Sequence, residues 1–254
     1  MNLHFNKYGE GKPLLILHGL FGMGDNWATM SRAYAEKGFS AYAIDLRNHG
    51  RSPHENVFSF EVMAEDLHQF ILDHQLNKVS IIGHSMGGKV AMFFAAKYPD
   101  HIAKLIVVDI GVKYYPPHHH RVLAAIHALK PEHMNNRKDA EERLRQSLSE
   151  ESIIQFLLKN LYWNEHEKLA WRFNVRAIES NIEEVGKALP EEYKIDIPSI
   201  FISGERSAYI QEEDKAGIVK HFTDVNFIRI PDAGHWVHAE NPEVFFQKSL
   251  EFLV

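Results

Sequence analysis

The 254-residue sequence predicts an α/β fold: a mostly parallel central sheet flanked by helices, with an inserted helical cap. Three observations carry this. Strand-like and helix-like segments alternate over the first 110 residues, the rhythm breaks between about 113 and 190, and it then returns. Alternation of this kind builds βαβ units and a parallel sheet.

Residues 1–8 form a short alternating segment, with neither the long apolar stretch nor the cleavage site of a signal peptide. Pro13 to His18 contains the apolar run Leu14-Leu15-Ile16-Leu17 and ends at Gly19. Asn26 to Lys37 has helix-compatible spacing and stops at Gly38, and Phe39 to Asp45 reads as a second strand. Between Phe60 and His74, Val62, Met63, Leu67, Phe70 and Ile71 recur on one face, as in an amphipathic helix. Lys78 to Gly83 is a short strand, Met86 to Tyr98 a helix stopped by Pro99, and Ala103 to Asp109 another strand.

From 113 to 190 no buried strand is expected. The spacing predicts helices over Arg121–Leu129, Lys138–Leu148, Glu151–Leu161 and Trp171–Leu189. Ile153, Phe156, Leu157, Trp163 and Phe173 make this segment too apolar for a linker. Strand Ile200–Ser203, helix Gln211–His221, strand Val225–Ile230 and helix Pro242–Leu253 complete the chain. The expected organisation is a core of residues 1–112 and 191–254 around a helical cap of 113–190.

Composition narrows the function. With 45% hydrophobic and 24% charged residues, the chain is ordinary globular material, not disordered or collagen-like. No apolar run reaches the ~18 residues of a membrane span. A net charge of −6 without a basic run speaks against nucleic-acid or membrane-surface partners. The absence of cysteine removes disulfides, thiolate catalysis and cysteine-based zinc sites. A cytoplasmic location is expected by default; the oligomeric state is left open.

The sharpest motif is Gly83-His84-Ser85-Met86-Gly87, a Gly-x-Ser-x-Gly between a predicted strand and a predicted helix. A serine on so tight a turn needs small residues two positions away on either side. It also sits at a helix N-terminus, whose free N–H groups favour developing negative charge. Gly88 adds room at the helix start. A serine hydroxyl is a weak nucleophile and needs a base. His235, on the loop after the last strand, is the candidate, since sites in open α/β sheets assemble at the C-terminal strand ends. His238 competes but leads into the final helix.

An oxyanion needs two donors. Met86 N–H supplies one; Leu20 N–H, in His18-Gly19-Leu20-Phe21-Gly22, supplies the other, with Phe21 as the alternative. His18 braces that loop. Asp45 to Ser52 reads as structural, with Arg47 pairing a carboxylate. In His118-His119-His120, adjacent side chains diverge, so a solvated cap entrance is expected there and no metal site.

Together, His18-Gly19, Asp45-Leu46-Arg47-Asn48-His49-Gly50-Arg51-Ser52, Gly83 to Gly88 and Gly234-His235-Trp236 resemble the α/β-hydrolase superfamily. The variants His-Gly-Leu-Phe-Gly, Arg-Asn-His-Gly and Gly-His-Trp-Val-His-Ala-Glu resemble its YbfF-type esterase branch. The resemblance runs from residue 2 to 254 and is weakest in the cap. It implies a cytosolic serine esterase or thioesterase without cofactor, acting on acyl esters, acyl-CoA among them, through an acyl-enzyme. Aspartate-nucleophile relatives are disfavoured by Ser85. A C–C bond hydrolase or perhydrolase would use the same serine, and a non-catalytic ligand-binding protein is the alternative from another class.

One position departs from the superfamily pattern, which puts the acid a few residues past the strand ending near Ser203. In Gly204-Glu205-Arg206-Ser207-Ala208-Tyr209 that position, 207, is serine. Serine carries no charge to stabilise an imidazolium. Asp109, after the strand that follows Ser85, opens onto the same edge, and the YbfF-type resemblance points the same way. The expected triad is Ser85, Asp109 and His235, with Ser207 beside Asp109; Glu205 and Asp214 are rivals for the acid. Phe21, Tyr209 and Trp236 are expected to line an apolar pocket for a short to medium acyl group.

Overall fold

A computed structural model describes residues 1–254. Its first half is built from β1 (Phe5–Tyr8), β2 (Lys12–Leu17), α1 (Ala28–Ala35), β3 (Phe39–Ile44), α2 (Phe60–Asp73), β4 (Val79–His84), α3 (Met86–Lys97) and β5 (Ile102–Val108). The last part contains β8 (Ser199–Gly204), α9 (Lys215–His221), β9 (Val225–Ile230), α10 (Val237–Glu240) and α11 (Pro242–Leu253). Between β5 and β8 the chain makes α4 (His120–Leu129), α5 (Arg137–Arg145), α6 (Glu151–Leu158), β6 (Leu161–Trp163), β7 (Leu169–Trp171), α7 (Val175–Ser180) and α8 (Ile182–Val185).

Seven strands form one sheet in the order β1-β3-β2-β4-β5-β8-β9. Only β1 runs antiparallel. After β3 the chain crosses β2 to place β4 on the other side, so the order reverses between β2 and β4. Ligand sites lie at such a reversal, outside the C-terminal strand ends.

Every residue of β4 is buried, as expected of a central parallel strand covered on both faces. Alternate residues feed two cores. Leu15, Leu17, Ile81, Leu105 and Val107 join one, packed with α2 and α3. Leu14, Ile16, Ile82, Ile106 and Val108 join the other, packed with α1 and α11. The first core continues into the insertion through Leu123, Ile126, Leu157 and Ile178. The insertion is also tied at its base, where Lys89 Nζ donates to the Lys113 carbonyl at 2.7 Å. Burial pushes that lysine down to about 7. No helix is long and apolar enough to cross a membrane.

Two expectations for the insertion are corrected. Trp171–Leu189 is not one helix, and the helix from Glu151 ends before Leu161; the segment holds two short strands, of which only Leu161 and Leu169 are buried. Leu161–Trp163 and Leu169–Trp171 pair as an antiparallel hairpin. Asn164 makes its turn, its side-chain oxygen accepting from the N–H groups of His166 and Lys168 at 3.0 Å each. Such Asx chemistry competes with helix. Asn174 then caps α7 by accepting from Ala177 N–H at 3.2 Å. The helix predicted to reach Leu161 stops at Leu158, because Leu161 already belongs to the hairpin.

Candidate active site

Register brings the predicted residues to one place. His84 on β4 is level with Val108 on β5, and Val108 with Ile202 on β8. Ser85 and Asp109, the next residues, therefore leave the sheet at the same height. The N–H of Ser85 donates to Val108 O at 2.9 Å, and that of Asp109 to Ile202 O at 2.8 Å. Both residues have φ of 52°, a left-handed conformation that is costly away from glycine and clusters at functional sites.

The glycines of the motif are required by close approach. A Cβ on Gly83 would sit 2.4 Å from Gly87 O, and one on Gly87 2.5 Å from Leu17 O. Helix α3 thus starts directly against β2 and β4 without a side-chain cap. Its first N–H, on Met86, is one of those that a helix start leaves without an intrahelical partner, and that of Leu20 has no acceptor in the protein. Phe21 N–H is already occupied, donating to His49 Nε2 at 3.2 Å.

Three side chains from three strand ends join in one hydrogen-bonded line. His235 Nε2 lies 3.1 Å from Ser85 Oγ. His235 Nδ1 lies 2.8 Å from Asp109 Oδ2. With Nδ1–H donating its hydrogen bond to the carboxylate, Nε2 keeps its lone pair for the serine hydroxyl. Asp109 is fully buried, and two further donors satisfy it: Ser207 Oγ to Oδ2 at 2.5 Å and Gly204 N–H to Oδ1 at 3.1 Å. The serine at the departing position thus hydrogen-bonds Asp109. Glu205 instead accepts from Asp232 N–H at 3.2 Å. Asp214 accepts from Gln211 N–H at 2.9 Å and pairs with Lys113 at 2.7 Å. Neither reaches His235.

The imidazole is held from other sides too. Tyr209 stacks on it with centroids 4.1 Å apart and planes 18° from parallel. His84 Nε2–H donates to the His235 carbonyl at 2.8 Å. Burial, then the neighbouring histidines 235 and 238, hold His84 well below the usual histidine range, so it stays neutral. The part played by His84 was hidden in the variable position before Ser85. His238 stacks on Trp27 at 3.9 Å and does not face Ser85.

Ser85 and His235 open into a cavity of about 300 Å³, at the small end of the ligand-pocket range. Phe21, Tyr209 and Trp236 line it, and Val122, Ile153, Phe156 and Leu157 come from the insertion. Arg121 and Glu150, paired at 2.9 Å, are also in its wall. His118 is exposed and meets the Tyr209 hydroxyl through Nε2 at 2.6 Å. His119 is half-buried in the cavity wall, where burial pushes it down to about 3. No group of three or more metal-binding side chains converges anywhere. Arg47 pairs with the buried Asp66 on α2, at 2.5 Å and 2.9 Å, away from the cavity. His18 does bridge its loop, Nδ1–H donating to Gly19 O at 2.8 Å and Nε2 accepting from Leu46 N–H at 3.0 Å.

Comparison with known proteins identifies the family. The family model of the alpha/beta hydrolase fold matches residues 12–242. A putative esterase/lipase of Haemophilus influenzae is 37% identical over 257 aligned positions, which cover 100% of this chain and 88% of the relative. Esterase YbfF of Escherichia coli is 35% identical, with 96% of this chain and 94% of the relative covered. A solved marine microorganism esterase superposes with a TM-score of 0.96 at 43% identity, with 99% of each chain covered.

Proposed function

This chain belongs to the α/β-hydrolase family and is a carboxylic ester hydrolase, and from that premise we propose that it cleaves short- to medium-chain esters, with acyl-CoA thioesters as a further substrate class, through an acyl-enzyme on Ser85. The observation that carries this reading is the unbroken line from Ser85 through His235 to the buried Asp109. In the proposed reaction Ser85 Oγ attacks the ester carbonyl while His235 Nε2 takes its proton. The ester C–O bond, or the C–S bond of a thioester, breaks as His235 returns the proton to the departing alkoxide or thiolate. Water, activated by the same Nε2, then releases the acid and frees Ser85. Asp109 keeps the ring in the tautomer this needs and offsets the charge of the imidazolium.

The unbonded N–H groups of Leu20 and Met86 are the donors we assign to the oxyanion; Phe21 N–H, engaged with His49, is not. Pre-set donors of this kind each contribute about 10²- to 10³-fold in kcat. The mainly apolar wall from Phe21 to Trp236 suits a short aliphatic acyl or alkoxy group over a charged one. We further propose the division of the chain into a core of residues 1–112 and 191–254 and a cap of 113–190. The test is a panel of p-nitrophenyl esters, acyl-CoA thioesters and lactones, run with the wild type and Ser85→Ala. Turnover of p-nitrophenyl butyrate by the wild type, and its loss by about 10⁴-fold or more in a folded Ser85→Ala protein, is expected. Comparable turnover by the two would remove Ser85 from the mechanism.

A further inference from the structure

We propose that His49 and Asn160 are positioning residues that hold Phe21 by its N–H and its carbonyl, one in each of the two peptides that flank it, so that the oxyanion site is complete only when the insertion is seated on the core. The proposal rests on the ester-hydrolase reading above and adds two residues to it that touch no substrate.

The starting point is backbone conformation. Phe21 has φ of 59°, a left-handed value that a phenylalanine adopts only when its surroundings impose it. Two side chains grip its polar groups. Its N–H donates to His49 Nε2 at 3.2 Å, and its carbonyl accepts from Asn160 Nδ2 at 2.8 Å. Gly22 N–H closes the turn onto Gly19 O at 2.9 Å. With Phe21 held on both sides, the preceding N–H, that of Leu20, is left without a partner at the cavity.

Both side chains are buried and oriented toward Phe21. His49 is fully buried, and its Nδ1–H donates to Arg47 O at 2.9 Å, which leaves the lone pair on Nε2. Burial, then the neighbouring His18, pushes it down to about 3, so the ring stays neutral and able to accept. Asn160 is fully buried as well, and its Oδ1 has no partner. Turning the amide over would set that oxygen against the Phe21 carbonyl. Its orientation follows from the need to donate there, with a second contact to Phe156 O at 3.2 Å.

The contacts close a circuit between core and insertion. Asn160 O accepts from Arg172 N–H at 2.9 Å. Two residues on, Asn174 N–H donates to Asn48 O at 2.8 Å, and its Nδ2 to Asn48 Oδ1 at 3.0 Å. Asn48 is covalently next to His49, and His49 returns to Phe21. Lifting the insertion breaks this circuit at Asn160 and Asn174 together, and with it the support of the Leu20 donor.

The experiment measures kcat and KM on p-nitrophenyl butyrate, and inhibition by a short alkyl trifluoromethyl ketone, whose adduct with Ser85 carries the oxyanion. The variants are Asn160→Asp, which cannot donate to Phe21 O, Asn160→Ala, His49→Leu and His49→Gln. Asn160→Asp and His49→Leu are expected to lose about 10- to 100-fold in kcat, below the full loss of a donor. KM should stay within about twofold, and the ketone should weaken in step with kcat. His49→Gln, whose Oε1 accepts in place of Nε2, should recover most of what His49→Leu loses. Asn160→Ala, which also removes the unpartnered oxygen, gives the same reading if the aspartate variant does not fold. Unchanged kcat and ketone affinity in the folded variants, or a rise in KM alone, would overturn the proposal. An inactive wild type would instead overturn the esterase reading.

Discussion

The C-terminal edge of the sheet and the segment inserted between β5 and β8 meet at one cavity but are built in different ways. At the edge, Ser85 and Asp109 follow directly from strands whose facing ends are buried, and adjacent strands fix their height through backbone hydrogen bonds. In the insertion the helices are short, and α5 buries only Ala140 and Leu144. Exposed ion pairs link its surface, Arg145 with Glu141 and Glu151, and Arg121 with Glu150. Exposed pairs of this kind contribute little to stability. The difference separates two tasks. The sheet edge holds Ser85 and Asp109 within hydrogen-bond reach of His235, while the insertion supplies apolar cover to the cavity.

The comparison breaks most visibly if the acid of the site lies elsewhere. Asp109→Asn is expected to lower kcat by about 10⁴-fold, as the amide favours the wrong imidazole tautomer. Glu205→Gln, on the exposed side of the same edge, should stay within about twofold of wild type. A large loss in Glu205→Gln with normal turnover in Asp109→Asn would reverse the assignment.

A smaller effect probes the insertion. Phe156 lies 5.8 Å from Trp236, ring to ring, in the cavity wall. Phe156→Ala opens room at that point. The kcat/KM for p-nitrophenyl octanoate relative to butyrate should rise several-fold, within the range that one or a few methylenes command in an apolar pocket. An unchanged ratio would mean that the insertion does not measure the substrate.

The smallest effect is on stability against pH, and it belongs to the core. Burial pushes His238 down to about 3 and His18 to about 4, against an ordinary value of 6.5. Below pH 6.5 the unfolded chain takes up protons that these rings refuse. Stability therefore falls as pH drops from about 6.5 toward 4, at up to about 1.4 kcal/mol per pH unit for each such histidine. His238 has a buried Nδ1 without a partner and stacks on Trp27. His238→Phe should keep the Tm at pH 7 and lose less of it between pH 7 and pH 5 than wild type does. Parallel Tm curves for the two proteins would contradict this.

Legibility in the sequence follows the same division. The strands and helices of the core were readable because buried parallel strands are continuous apolar runs, bounded here by Gly19, Gly38 and Pro99. The Ser85 turn was readable because only glycine fits at 83 and 87. Asp109 was reachable through the missing carboxylate at 207 together with strand order. The hairpin was not, because its strands are three residues each, too short to show a period, and polar Asn164 to Lys168 between them reads as a plain connection, although the side chain of Asn164 makes its turn. Asn160 and His49 were hidden for another reason. Each acts on the backbone of Phe21, 139 and 28 residues away in the chain, and no local pattern records such a contact.

The central claim is that Ser85, activated by His235, forms a covalent intermediate. Intact-mass measurement after brief treatment with an alkyl fluorophosphonate tests it most directly, with peptide mapping of the product. The account predicts one adduct per chain, on Ser85, formed rapidly by the wild type, not formed by Ser85→Ala, and formed far more slowly by His235→Ala. An unlabelled wild-type protein, or an adduct on another residue, would contradict it.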